Sequence, residues 1–232
     1  MENRNMAHTK EYQDHRKLFE YIFHEEYKSS EIEEIVLFDG KYILKTHYYS
    51  DCSHKVFKYN LHTSKTEMFD TCGVKVAEFK NIDHHIDFFG TVEHSNGKNY
   101  LIFTIDLYGY SIMDLSNFKT YHFIPEESFV GGEETFIWTN IMYCKVNNII
   151  AVDGCYWACP YSIEFFDFSD PEKVPLRCIY TSYELKNELD IDSDITPIRW
   201  NDDGTIVIEY DEDEGTEKVE RTFDIVSQKI ES

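Results

Sequence analysis

Four short segments of the chain repeat one pattern of apolar and polar positions. Each starts with a large apolar residue, continues with Asn or Asp and a second apolar residue, and ends in a mostly polar turn. The Asn or Asp positions are Asn60, Asp114, Asp167 and Asp224, about 55 residues apart, and an internal repeat at a fixed period is typical of proteins that stack similar units. The pattern therefore predicts four copies of one structural unit.

A tight-turn signal recurs in step with this pattern. Asn-Gly and Asp-Gly tolerate the positive φ angles that two-residue hairpins require. Each unit is therefore predicted to contain a strand, a tight turn, a strand, a loop, a strand, a polar turn and a strand. The turn signals are Asp39-Gly40, Asn96-Gly97, Asn147-Asn148 and Asp203-Gly204.

The four strands of a unit can be placed approximately along the chain. In the first unit they are predicted at 35–38, 42–49, 56–61 and 65–69. In the third unit they are predicted at 136–146, 149–152, 162–168 and 174–180.

These elements predict an all-β fold of four repeated four-stranded antiparallel units. Similar units pack against one another because a lone sheet cannot bury both of its faces. The apolar-Asp-apolar strand followed by a polar turn resembles the blades of the β-propeller superfamily, and residues 152–161 and 166–171 resemble uncharacterised bacterial propeller-like proteins. The resemblance implies a small propeller-like domain over 31–232, with units of about 31–80, 81–133, 134–190 and 191–232. A β-sandwich of the same hairpins and a partial ring completed by a partner are the alternatives.

Residues 1–30 lie outside the repeat. Between residues 11 and 27 apolar side chains, among them Leu18, Tyr21 and Ile22, recur at helical spacing. We expect an amphipathic N-terminal helix that caps the sheets, and the alternative is an extended strand that closes the ring.

The charge of the chain narrows the choice of partners. It has 44 Asp and Glu against 22 Lys and Arg, a formal net charge of −22. Such a field repels phosphate backbones and anionic lipid, so we expect no direct binding to nucleic acid or membrane, and a basic protein partner fits better. An acidity that serves only solubility is the alternative. No apolar leader is apparent and the six cysteines are sparse, which favours a reduced, cytoplasmic protein.

One end of the predicted units should hold the functional loops. In a propeller-like arrangement the loops between second and third strands and the connections between units emerge on the same face, and loops on a rigid scaffold commonly carry binding function. The predicted loops are 50–55, 107–109, 153–161 and 211–215, and the predicted connections are 70–81, 125–134 and 184–194.

Two of these loops supply the candidate binding residues. Asp153 precedes a Gly, two aromatics and a Pro, so that Tyr156 and Trp157 are predicted to be presented as exposed anchors. The favoured alternative for Trp157 is that it plugs the end of the core. The acidic run of the last unit lacks the ligand spacing of a calcium-binding loop, and it is predicted to be a solvated hairpin loop. Its candidate binding residues are Asp211, Glu212, Asp213 and Glu214.

A zinc site is the only metal site that the spacing suggests. Cys155 and Cys159 are separated by three residues, whereas zinc knuckles commonly use two. Cys52 and His54 occupy the equivalent loop of the first unit, so the four side chains could meet across the ring. Free buried cysteines are the alternative, and we expect no cofactor.

No phosphate-binding, nucleophile-elbow or zinc-protease motif occurs, so enzyme status is unsupported. The leading hypothesis is a non-catalytic protein-binding module whose acidic loop face engages a basic protein, in an inhibitor, immunity or assembly role. The alternatives are a propeller-scaffold hydrolase or lyase with a metal or carboxylate site, and an acidic mimic of nucleic acid.

Overall fold

The chain folds into four antiparallel sheets of four strands each. The computed structural model describes residues 4–51, 61–82, 88–211, 218–227 and 229–231. Within every sheet the strands pair in the order in which they occur along the chain. The all-β class, the four four-stranded units and the N-terminal helix are thus confirmed.

The first two sheets occupy the N-terminal half of the chain. The first contains β1 (Lys28–Leu37), β2 (Tyr42–Asp51), β3 (Leu61–Asp70) and β4 (Lys75–Asn81). The second contains β5 (Phe89–Glu93), β6 (Asn99–Ile105), β7 (Gly109–Asp114) and β8 (Lys119–Phe123).

The last two sheets follow in the same manner. The third contains β9 (Ile137–Cys144), β10 (Ile149–Cys155), β11 (Ser162–Asp167) and β12 (Arg177–Tyr180). The fourth contains β13 (Ile195–Trp200), β14 (Ile206–Asp211), β15 (Lys218–Asp224) and β16 (Lys229–Glu231). The α-helices are α1 (Lys10–Lys17), α2 (Glu126–Phe129) and α3 (Ser182–Leu189), and single 3-10 turns lie at Glu20–Phe23 and Glu25–Tyr27. Among the described residues, no helix has the length and apolar character needed to cross a membrane.

An aspartate ends the third strand of every sheet and shapes the turn that follows. The Oδ1 atom of Asp114 accepts a hydrogen bond from the Ser116 N–H at 2.8 Å, and that of Asp167 accepts one from the Ser169 N–H at 3.0 Å. Side chains of this type stabilise turns by bonding the backbone two residues on. The first and fourth sheets have the same contact, at Asp70 and Asp224.

The residue of the first sheet that corresponds to Asp114 and Asp167 is therefore Asp70. Asn60 and most of the strand predicted at 56–61 lie outside the described residues. The polar turn predicted after Asn60 and the separate strand predicted at 65–69 are wrong, because β3 runs unbroken from Leu61 to Asp70 and β4 follows it. The predicted connection at 70–81 is the turn after β3 together with β4. The polar stretch after Leu61 resembled a turn, yet Thr66 is fully buried, and its hydroxyl lies 2.8 Å from that of Thr46. Paired hydroxyls can be buried in a strand because each satisfies the other.

Apolar faces join consecutive sheets. Leu44 and Met68 of the first sheet pack with Phe103 of the second. Between the second and third sheets, the rings of Tyr110 and Trp138 stack with centroids 4.2 Å apart. Between the third and fourth, the rings of Phe165 and Phe223 lie 5.7 Å apart. The core is thus a series of three layers between four sheets.

The outer faces of the first and fourth sheets are charged and exposed. On the first sheet Lys45 pairs with Glu34 at 2.7 Å, and on the fourth Lys218 pairs with Glu209 at 2.5 Å. Val36, beside the first pair, is 64% exposed. Within the described residues, no apolar cluster joins the fourth sheet to the first. The stack therefore ends in solvated faces, as terminal units of repeat proteins require.

The N-terminal helix is anchored by a buried ion pair. An Arg16 Nη1 atom lies 3.3 Å from Asp106 Oδ1, and Arg16 Nη2 donates to the Lys80 carbonyl at 2.6 Å. The helix ends at Lys17, short of the predicted residue 27, and Leu18 is 68% exposed. Beyond it Phe19 and Ile22 are buried, and the chain forms a 3-10 turn at Glu20–Phe23 in place of a further α-helical turn, which is why helical spacing overestimated the length of the helix.

Candidate binding site on the loop face

The connections of the four sheets emerge at two opposite ends. One end holds the connections between the second and third strands of each sheet and the connections between sheets, and we call it the loop face. The other end holds the hairpin turns, and we call it the turn face. The described segments of the loop face include 106–108, 124–136, 156–161 and 181–194. The described segments of the turn face are 38–41, 71–74, 94–98, 115–118, 145–148, 168–176, 201–205 and 225–227.

The two faces differ in charge. In those four segments the loop face has ten acidic residues and a single basic one, Lys186. The turn-face segments have five acidic and four basic residues. The negative charge of the described connections is therefore concentrated at the loop face. The N-terminal segment packs against the same end, where Arg4 pairs with Glu126 at 3.5 Å and Arg16 with Asp106 at 3.3 Å, so the face is mostly negative but not of one sign.

The loop after β10 presents two aromatic side chains. Trp157 is 58% exposed and Tyr156 is 36% exposed. A Trp157 that plugs the core is therefore excluded. The Tyr156 ring also packs edge-on against Phe136, with centroids 5.4 Å apart. Tyr156 is thus held in position, whereas Trp157 projects from the surface.

A buried carboxyl group lies beneath Tyr156. Glu164 is only 5% exposed, and its Oε1 atom accepts a hydrogen bond from the Tyr156 hydroxyl at 3.1 Å. The Ser182 backbone N–H also donates to this carboxyl group. Burial raises the pKa of Glu164 to about 7, although both hydrogen bonds act in the opposite direction.

Glu164 lines an open cleft of about 460 Å³ between the second and third sheets. Seven aromatic side chains line this aromatic cleft, and Glu127 and Glu134 also line it. Burial raises the pKa of the Cys178 thiol, another lining group, to about 12, so the thiol is neutral. No Lys, Arg or His occurs among the described lining residues. The aromatic side chains are Tyr108, Tyr110, Phe123, Phe136, Trp138, Tyr156 and Phe166.

Asp153 lies on the opposite face of the third sheet from Glu164. It follows Ala151 at the spacing of two that keeps side chains on one face, and Ala151 packs toward the fourth sheet. Its buried Oδ1 atom has no hydrogen-bond partner among the described residues. Burial raises the pKa of Asp153 to about 6, with a further contribution from the charge of Asp194. Asp153 is therefore half-buried and separate from the aromatic cleft.

The remaining predicted site residues are only partly described. Asp211 ends β14, where its carbonyl accepts a hydrogen bond from Ser193 Oγ at 2.9 Å. Glu212, Asp213 and Glu214 lie outside the described residues, as do Cys52 and His54. The structure therefore brings together Tyr156 with Glu164, and it leaves the acidic run of the last unit a prediction.

The zinc hypothesis also stays a prediction, because two of its four ligands are not described. Burial raises the pKa of the Cys155 thiol, and the Cys159 N–H donates to the Tyr156 carbonyl at 2.9 Å. Among the described residues no group of three or more His, Cys, Asp or Glu side chains could hold a metal ion.

Glu164 was missed by the sequence analysis, although a signal for it was present. Apart from Asp167 at the end of the strand, it is the single charged residue in β11, whose other side chains are apolar or small. Strand alternation places Glu164 on the same face as Phe166, which packs in the core between the second and third sheets. An acidic residue at an inward position of an apolar strand indicates a functional or strained site.

Comparisons with known proteins support the fold and do not assign a function. No protein-family model matches the chain. A stretch of 53 residues is 38% identical to an uncharacterized protein of Acanthamoeba polyphaga mimivirus, and it covers 23% of this chain and 21% of the viral protein. The structure of dihydro-heme d1 dehydrogenase NirN in complex with DHE superposes with a TM-score of 0.54 at 11% identity, over 87% of this chain and 37% of NirN. At that identity the likeness shows the fold alone, so the chain has a propeller-like arrangement of sheets.

Proposed function

We propose that this chain is a non-catalytic binding module whose loop face engages a basic protein partner. The observation that carries the proposal is the difference in charge between the two faces, ten acidic residues to one basic against five to four. A predominantly acidic surface on a rigid scaffold steers a basic partner and speeds its association. The exposed Trp157 beside this surface is the type of side chain that anchors interfaces.

The alternative is a propeller-scaffold hydrolase or lyase with a metal or carboxylate site. For its metal form, no group of three or more His, Cys, Asp or Glu among the described residues could hold an ion, and Cys52 and His54 lie outside them. For its carboxylate form, Glu127, Glu134 and Glu164 line the aromatic cleft. The other alternative, an acidic mimic of nucleic acid, requires carboxylates spaced like the phosphates of a nucleic-acid backbone, and no observation supports such a spacing.

Neutralising the loop face should release the partner. We expect the triple variant Glu126→Gln, Glu133→Gln, Asp192→Asn to capture about tenfold less of a basic partner from host lysate, because each lost charge weakens long-range attraction. None of the three residues lines the aromatic cleft. Affinity capture at low and high salt, with identification of the retained proteins by mass spectrometry, provides the measurement.

The matched control removes the same charge from the turn face. Asp39→Asn, Asp170→Asn and Asp202→Asn together should leave capture unchanged. Equal loss in both triple variants, or capture that does not weaken as salt rises, would contradict the proposal.

A further inference from the structure

The carboxyl group of Glu164 is buried, and no Lys, Arg or His of the described residues pairs with it. Its two identified hydrogen-bond donors, the Tyr156 hydroxyl and the Ser182 N–H, are both neutral. The charge of Glu184, which is also negative, raises the pKa of this carboxyl group further. Buried charges in proteins are normally paired, and the described residues place no positive charge beside Glu164 when it is ionised.

The space beside Glu164 is open and aromatic. The aromatic cleft measures about 460 Å³, which falls in the range of ligand pockets. Tyr110 and Trp138 stack within it at an interplanar angle of 14°, and Phe136 and Tyr156 meet edge-on. Aromatic faces attract cations through their quadrupole, and the attraction is stronger where water is excluded.

The position of the cleft ties it to the loop face. Tyr108, Glu134 and Tyr156 line the cleft and belong to three different loop-face segments. Glu134 is exposed, whereas Glu164 is buried. A positive side chain approaching the loop face would thus meet carboxylates first at the rim and then at depth.

We propose that the aromatic cleft binds the side chain of a lysine or arginine of the basic partner, with its cationic head at Glu164 and its alkyl stem against the aromatic walls. This inference rests on the proposed function and specifies the group that the partner inserts. The ligand supplies a positive charge that the described residues do not place beside Glu164, and the long apolar stem of such a side chain suits an aromatic wall.

Small probes test the inference on the full chain. N-acetyl-arginine amide and N-acetyl-lysine amide should bind, as measured by NMR titration, and N-acetyl-citrulline amide should bind about tenfold more weakly than its arginine counterpart, because it has the same shape without the charge. Equal affinity for the arginine and citrulline probes would overturn the inference.

Matched variants locate the binding. Glu164→Gln should weaken the arginine probe about tenfold and leave the citrulline probe unchanged, whereas Asp153→Asn, on the other face of the same sheet, should change neither. Glu134→Gln at the exposed rim should weaken the arginine probe about threefold, and it loses no buried contact. An arginine affinity that is the same in Glu164→Gln and Glu134→Gln as in the parent protein would overturn the inference.

The probe titrations and the capture experiment can fail independently, so the inference on the cleft and the proposed function are tested separately. If the probes do not bind while the loop-face triple variant still releases the host partner, the inference on the cleft is wrong and the proposed function stands. If the triple variant retains the partner while the arginine probe binds at Glu164, the proposed surface is wrong and the cleft remains a binding site.

Discussion

Replacing Glu164 by Gln is expected to stabilise the protein at alkaline pH. The pKa of Glu164 is raised from 4.5 to about 7 in the folded protein because the carboxyl group is buried. Between these values the folded state retains a proton that the unfolded state releases, so the free energy of unfolding falls as pH rises. The stabilisation that the protonated Glu164 contributes is complete below about pH 4.5 and is lost as pH rises through about 7. The difference between the two pKa values corresponds to about 3 kcal/mol of unfolding free energy.

The measurement is urea denaturation of both proteins at pH 5 and pH 8. We expect Glu164→Gln to be close to the parent at pH 5 and more stable by about 3 kcal/mol at pH 8. Asp153, whose pKa is raised to about 6, adds its own pH dependence to both proteins, and it cancels in the difference between them. A difference that is the same at both pH values would show that Glu164 is charged in the folded state.

Two of the three tryptophans should differ widely in their contribution to stability. Trp138 is 4% exposed and stacks on Tyr110 between the second and third sheets, whereas Trp157 is 58% exposed. Trp138→Ala removes a large side chain from a packed layer and should cost about 4 kcal/mol. Trp157→Ala should change the free energy of unfolding by no more than about 0.5 kcal/mol.

Guanidinium denaturation of the two alanine variants provides the comparison. Trp138→Phe serves as the intermediate case, because it retains a ring between the sheets and should lose less than Trp138→Ala. Similar losses for Trp138→Ala and Trp157→Ala would contradict the layered packing described above.

The sequence could predict the repeat because its landmarks are local. An Asp followed by a polar turn bonds its own backbone two residues on, at Asp114 and Asp167 as elsewhere, so the pattern survives without knowledge of neighbouring sheets. The pattern is wrong after Asn60, where it predicts a turn and the structure has the start of β3. The polar stretch lies in a strand because the hydroxyls of Thr46 and Thr66 are buried against each other. These two residues are brought together only by the pairing of β2 with β3.

The candidate site was predicted only in part for the same reason. The loop face and Tyr156 follow from loop position and residue type, which a sequence displays directly. Glu164 matters because Tyr156 lies over it and because the second sheet walls the cleft, and both contacts arise from packing between distant segments. The exposure of Trp157 likewise depends on how the loop after β10 is oriented, which its composition does not determine.

The most direct test of the account is to map where a basic ligand contacts the chain. In a titration of the ¹⁵N-labelled protein with a lysine- and arginine-rich peptide, we predict amide shifts at Glu134, Tyr156 and Trp157 on the loop face. Amides of Gly97 and Gly204, on the turn face, should stay unchanged. Shifts concentrated on the turn face, or spread evenly over both faces, would contradict the account.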